Sequence, residues 1–148
     1  MSYSITVKSL SVYAGATRLM GPVSFNVAAG ATLVIMGETG AGKSLIAQAI
    51  LGTLPGSLRA EGEITVNGRR VDQMPQAARA AMWGHELATL PQEPWRALDP
   101  LMRVFAQVCE AYRYVAGKSR AEAKAQTSAT FDTLGLKGAE NHLPGALS

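Results

Sequence analysis

The sequence contains a single cysteine, Cys109, among its 148 residues. An internal disulfide is thereby excluded. No paired motif surrounds the thiol, so Cys109 reads as a small apolar helix residue, compatible with a reducing cytosol. No apolar run approaches the roughly 20 residues of a membrane-spanning helix. Met1-Ser2-Tyr3-Ser4 lacks the basic region and following apolar stretch of a secretory signal. Charged residues make up 17%, and the net charge of +3 comes from scattered basic positions. Such a distribution leaves no footprint for nucleic acid, and none is expected as a partner. What is present is 47% apolar content, enough for one globular domain with a core and too much for a disordered chain.

The most informative stretch is Gly37-Glu38-Thr39-Gly40-Ala41-Gly42-Lys43-Ser44, which fits G-x-x-x-x-G-K-[ST] at every fixed position. Ahead of it Ala31 to Met36, bounded by Gly30 and Gly37, reads as a buried strand. Behind it Leu45, Ile46, Ala49 and Ile50 fall at helical spacing. Strand, glycine loop and helix together are the setting a phosphate-binding loop requires. Gly37, Gly40 and Gly42 let the backbone take positive φ and approach phosphates without a Cβ in the way. Consecutive N–H groups then form an anion-binding nest, and the helix beginning near Lys43 adds its own unpaired donors. Lys43 is expected to reach the β- and γ-phosphates and the Ser44 hydroxyl to help hold Mg²⁺.

The rest of the chain divides near residue 95. Ile5 and Val7, then Leu10 and Val12, then Val23, Phe25 and Val27 are short alternations of an antiparallel unit. Leu54-Pro55-Gly56 stops the loop helix. Gly62 to Val66 reads as a strand closed by the hairpin dipeptide Asn67-Gly68. A short helix is expected around Pro75 to Met82, and a strand over Glu86 to Leu90. Beyond Pro100, Leu101, Val104, Phe105, Val108, Tyr112 and Val115 recur at helical intervals, with Gly117 ending the helix. Ser119-Arg120-Ala121-Glu122 is a capping box for a second helix that Gly135 closes. His85 and His142 have no ligand-type neighbours and read as ordinary surface or core histidines.

With these pieces in place, the chain resembles the ATP-binding subunits of ABC transporters, more narrowly those of peptide, oligopeptide and nickel importers. The likeness rests on Leu10 to Tyr13, Val23 to Val27 with Gly30, the phosphate loop, Gly62-Glu63-Ile64 with Asn67-Gly68, Gln92 between Pro91 and Pro94, and Ala97 to Met102. It implies an α/β fold of the phosphate-loop NTPase type. Residues 1–94 would hold an antiparallel β subdomain and half of a RecA-like core, and residues 95–148 the start of a helical subdomain. It further implies that Tyr13 stacks on adenine, that residues Gly37 to Leu45 cradle ATP, and that Gln92 contacts Mg²⁺ or the attacking water. Lys43 and Gln92 are thus the candidate catalytic residues, with Ser44 and Gln92 as candidate Mg²⁺ ligands. Trp95 fits either packing against a permease or shielding of this loop. The implied partners are integral-membrane permease subunits and a second ATP-binding subunit, with the protein peripheral on the cytoplasmic face of the cell membrane.

Leu45 stands where many such proteins carry Ser or Thr, which removes a hydroxyl contact to the α-phosphate. Ala41 replaces a frequent serine at a position that works through its backbone. Leu147-Ser148 matches the first two residues of the family's leucine-serine-glycine-glycine signature. The rest of the signature, the Walker B strand and the switch histidine do not follow. The resemblance therefore implies an incomplete domain, which alone is expected not to sustain hydrolysis and to expose the apolar segment Ala31 to Met36. Two rival readings are a soluble ABC-type ATPase without a permease and an unrelated phosphate-loop kinase or GTPase. Gln92 in its loop, the helices after it and the lack of an Asn-Lys-x-Asp motif speak against the second. A third, a non-catalytic nucleotide-binding module, requires that the chain be natural at this length.

Overall fold

The computed structural model describes residues 4–146. Met1 to Tyr3, the Trp95 side chain and Leu147-Ser148 lie outside the described residues, and with them the signature reading of Leu147-Ser148 and both roles weighed for Trp95. The chain forms two compact units, Met1–Glu86 and Leu87–Ser148.

In the first unit, β1 (Ile5–Ala14), β2 (Thr17–Val27), β3 (Leu58–Val66) and β4 (Arg69–Arg70) form one antiparallel sheet in the order β2-β1-β3-β4. The two alternations at the start of the sequence belong to a single strand. Val7 is buried at an odd position and Leu10 and Val12 at even ones, because a bulge at Ser9 shifts the phase between them. Ser9 has φ of 50°, and the register with β3 passes from Lys8↔Glu63 directly to Ser11↔Glu61. Two β1 residues thus oppose Gly62 alone, the arrangement that bends and twists a strand. Gly62 has φ of 118°, and a Cβ there would lie 2.7 Å from the carbonyl oxygens of both Lys8 and Ser9. Only glycine fits that close approach.

Asn67-Gly68 makes the two-residue turn from β3 to β4, with φ of 50° and 77°, both positive as a type I′ hairpin needs. The Asn67 side chain accepts from Ser4 N at 2.9 Å and donates to Glu86 Oε2 at 2.9 Å, tying the turn to both ends of the unit. Buried Ile64, Val66 and Val71 complete the core with Val7, Leu10 and Val12.

Two expected strands do not form. Residues 31–38 have no regular secondary structure, and Leu33, Val34, Ile35 and Met36 are exposed, Met36 at 87%. An apolar run becomes a buried strand only when neighbouring strands satisfy its backbone and cover both faces. Among the described residues the sheet contains only antiparallel pairs, and none involves this segment. Glu86 to Leu90 is likewise irregular: Glu86 lies in a turn, Leu87 is an isolated bridge residue, and residues 88–90 are unassigned. The Glu86 carboxylate is bonded to Asn67 and Arg69, which holds the chain in the turn rather than extended.

The second unit is a helix pair. α3 (Val104–Tyr114) and α4 (Arg120–Thr133) pack through Phe105 and Phe131, whose rings meet edge to face at 5.4 Å. Ala123, Thr127 and Phe131, four residues apart, form the buried stripe of α4. The capping box is present in both directions: Ser119 Oγ accepts from Glu122 N, and Ser119 N donates to Glu122 Oε2 at 2.9 Å. Gly135, φ 69°, follows the end of α4, and Leu136 N–H donates to Phe131 O at 2.8 Å to close it. Leu101, assigned by spacing to the buried face of the first helix, instead precedes α3 and is 86% exposed.

Replacing Gly62 by Ala is expected to lower the unfolding free energy by about 3 kcal/mol, the upper end for a strained backbone position. Urea denaturation checks this; an unchanged midpoint would mean that the bulge does not depend on glycine.

Candidate functional site

The phosphate loop enters α1 (Lys43–Leu51) through two glycines in the left-handed region, Gly40 with φ of 86° and Gly42 with φ of 82°. Glu38 to Ala41 is closed by the Ala41 N–H bond to Glu38 O at 3.2 Å. Gly42 is the N-cap of α1, and no side chain caps the helix there. An uncapped helix start leaves N–H donors and the positive end of the helix dipole available to an anion. Lys43 folds back over the loop, its Nζ donating to Gly37 O at 2.7 Å and Glu38 O at 2.6 Å. Two of its three donors are thereby committed, and one remains for a phosphate oxygen. Thr39, Gly40, Ala41 and Ser44 are exposed, while Lys43 and Leu45 are half-buried.

The opposite end of α1 is closed by side chains that sequence reasoning missed. Helix α2 (Gln76–Ala80) and the turn after it supply them. Arg79 Nη2 donates to Ala49 O and, at 2.6 Å, to Ile50 O. Trp83 Nε1 donates to Leu51 O at 3.0 Å, and Gln76 Nε2 to Gly52 O at 3.1 Å. Four consecutive carbonyls at the C-terminal end of α1 are satisfied this way. The partly buried Arg79 guanidinium also faces the negative end of the helix dipole; burial lowers its pKa. The phosphate helix is thus gripped at one end and open at the other.

Met20 is a further missed residue. It is 7% exposed, and a Cβ at Gly42 would lie 2.6 Å from Met20 Cβ. Met20 pairs with Val12 across β1 and β2, so the strand pair that carries Tyr13 packs against the phosphate loop at Gly42 through Met20. Tyr13 itself carries the Arg59 guanidinium over its ring, 4.5 Å from the centroid. Arg59 is thus another missed residue. Gln92 belongs to the unit Leu87–Ser148, where it is an exposed bend residue just before the 3-10 turn Pro94–Ala97.

Among the described residues no group of three or more His, Cys, Asp or Glu could hold a metal ion. Mg²⁺ that arrives with a triphosphate needs only one or two protein ligands, the phosphates and water supplying the rest. The exposed Ser44 hydroxyl at the start of α1 fits that smaller demand.

Residues 20–148 match the sequence pattern described as ABC transporter. The chain belongs to the ABC transporter family. Among its curated relatives is the dipeptide transport ATP-binding protein DppD of Lactococcus lactis, 31% identical over 145 residues, covering 94% of this chain and 42% of that protein. The oligopeptide transport ATP-binding protein OppD of Salmonella typhimurium is 31% identical over 129 residues, covering 87% of this chain and 38% of that protein. The chain therefore spans less than half the length of either relative. A solved bacterial Atm1-family ABC exporter with ATP bound matches with a TM-score of 0.61 and 27% identity, over 95% of this chain and 23% of that one. The fold is that of an ABC ATPase domain, and membership of the family implies ATP as the nucleotide.

Ala at position 42 combines a positive φ with a clash against buried Met20. The variant is expected to displace the loop and weaken ATP binding by about tenfold or more, within the ordinary cost of such strain. An unchanged dissociation constant in a folded Gly42→Ala protein would contradict this packing role.

Proposed function

We propose that this chain is the nucleotide-binding part of a subunit that energises an ABC importer for peptides, nickel or related small solutes. The observation that carries the reading is the phosphate loop: two left-handed glycines leading into an uncapped helix, with Lys43 pinned over the loop. The peptide-transport names of DppD and OppD support the substrate class.

The residues here bind and orient. Backbone N–H groups of Gly40, Gly42, Lys43 and Ser44 would face the phosphates, Lys43 adds a charge-assisted donor, and Tyr13 offers a ring face to adenine. Leu45 contributes packing where a hydroxyl would reach the α-phosphate. Ser44 would hold Mg²⁺, with Gln92 as its further ligand or as the residue that orients the attacking water. When bound, Mg²⁺ neutralises charge on the phosphates during phosphoryl transfer. Hydrolysis belongs to the whole protein, paired with a second ATP-binding subunit and with integral-membrane permease subunits. That assembly places it peripherally on the cytoplasmic face of the membrane. No helix among the described residues is long and apolar enough to cross a membrane.

Lys43→Ala is expected to remove about 1.5–3 kcal/mol of charge-assisted contact, weakening ATP binding roughly ten- to 150-fold in calorimetric titration. An unchanged constant in the folded variant would remove Lys43 from the site. The chain alone is expected to show no turnover above background in the same samples, and sustained Lys43-dependent hydrolysis would contradict that part of the proposal.

A further inference from the structure

Tyr13 sits at the centre of a three-strand row, opposite Arg59 on β3 and Arg18 on β2. The Arg59 guanidinium does more than point past the ring. It lies 4.5 Å from the ring centroid, forms an ion pair with the Glu61 carboxylate two residues along β3, and brings Nη2 within 3.5 Å of Gly15 O in the turn between β1 and β2. The side chain therefore reaches from β3 over Tyr13 to the far turn, tethered on both sides of the ring.

We propose that Arg59 is a latch on Tyr13, competing with a nucleobase for the ring face it covers. The inference rests on the assignment of Tyr13 to the base. A guanidinium and a nucleobase are both planar groups that stack by lying over an aromatic face, and one face admits one of them. The latch is weak enough to open, because the Arg59 and Glu61 side chains are each 52% exposed and surface ion pairs hold little. A base that stacks strongly displaces the guanidinium at small net cost. One that stacks weakly does not recover what the displaced contact held. The latch therefore lowers what the base contributes to affinity and makes Arg59 a residue that tunes base recognition rather than a phosphate ligand.

Removing Arg59 also removes a positive charge, which weakens every polyanion alike. The informative quantity is therefore the ratio of ATP affinity to that of inorganic tripolyphosphate, which has no base. We expect this ratio, measured by titration of the full chain, to rise about two- to five-fold in Arg59→Gln, the worth of an exposed cation–π contact. It should rise in the same direction in Glu61→Gln, which frees the guanidinium without altering β1. It should fall in Tyr13→Ala, and in that background Arg59→Gln should no longer change it. If Tyr13→Ala lowers the ratio while Arg59→Gln leaves it unchanged or lowers it, the latch is wrong and the base assignment stands. If Tyr13→Ala leaves the ratio unchanged, the base does not use Tyr13, and both the assignment and the latch fall.

Discussion

The nucleotide site depends on the contact between Gly42 and Met20. Gly42 must be glycine twice over: its φ of 82° disfavours any side chain, and Met20 occupies the space a Cβ would take. Met20 is held in turn by pairing with Val12 and by burial in the sheet core. Through this contact the antiparallel sheet helps fix where the phosphate loop turns into α1. The sheet that carries Tyr13 on β1 and the helix that begins at Lys43 consequently share a frame.

Helix α1 is asymmetric in a way that suits anion binding. At its C-terminal end Gly52, with φ of 76°, returns its N–H to Gln48 O, and Arg79, Trp83 and Gln76 satisfy the carbonyls from Ala49 to Gly52. At its N-terminal end there is no side-chain cap. Unpaired helix ends cost stability unless water or a ligand serves them. The protein satisfies one end with its own side chains and leaves the other without a side-chain cap. Lys43 adds a fixed charge there because the Gly37 and Glu38 carbonyls hold its ammonium in place.

Local chemistry was legible in the sequence wherever its partners were also local. The left-handed turns at Gly40 and Gly42, the Asn67-Gly68 turn, the Ser119–Glu122 capping box and the helix from Lys43 all form as their residue types require, while Gly37 does not take the positive φ expected of it. The odd-to-even switch between Val7 and Leu10 was visible as two alternations, but their union in one strand depends on Gly62 on another strand, which no local pattern reports. Ala31 to Met36 has the composition of a buried strand, yet a strand is a pairing, and among the described residues no neighbour supplies one. The Arg79 clasp on α1 and the Arg59 stack on Tyr13 were hidden for the same reason. Each joins a side chain to a backbone or ring brought near only by the register of the sheet or the packing of α2.

The central claim is that the backbone amides of Gly40, Gly42, Lys43 and Ser44 receive the phosphates of ATP. Amide chemical shifts of the ¹⁵N-labelled chain, followed through a titration with ATP and Mg²⁺, test it most directly. The account predicts that the largest changes fall on Gly40, Gly42, Lys43 and Ser44, with the amides at the clasped C-terminal end of α1 nearly unmoved. Saturable ATP binding that leaves the Gly40–Ser44 amides at their original positions would contradict it.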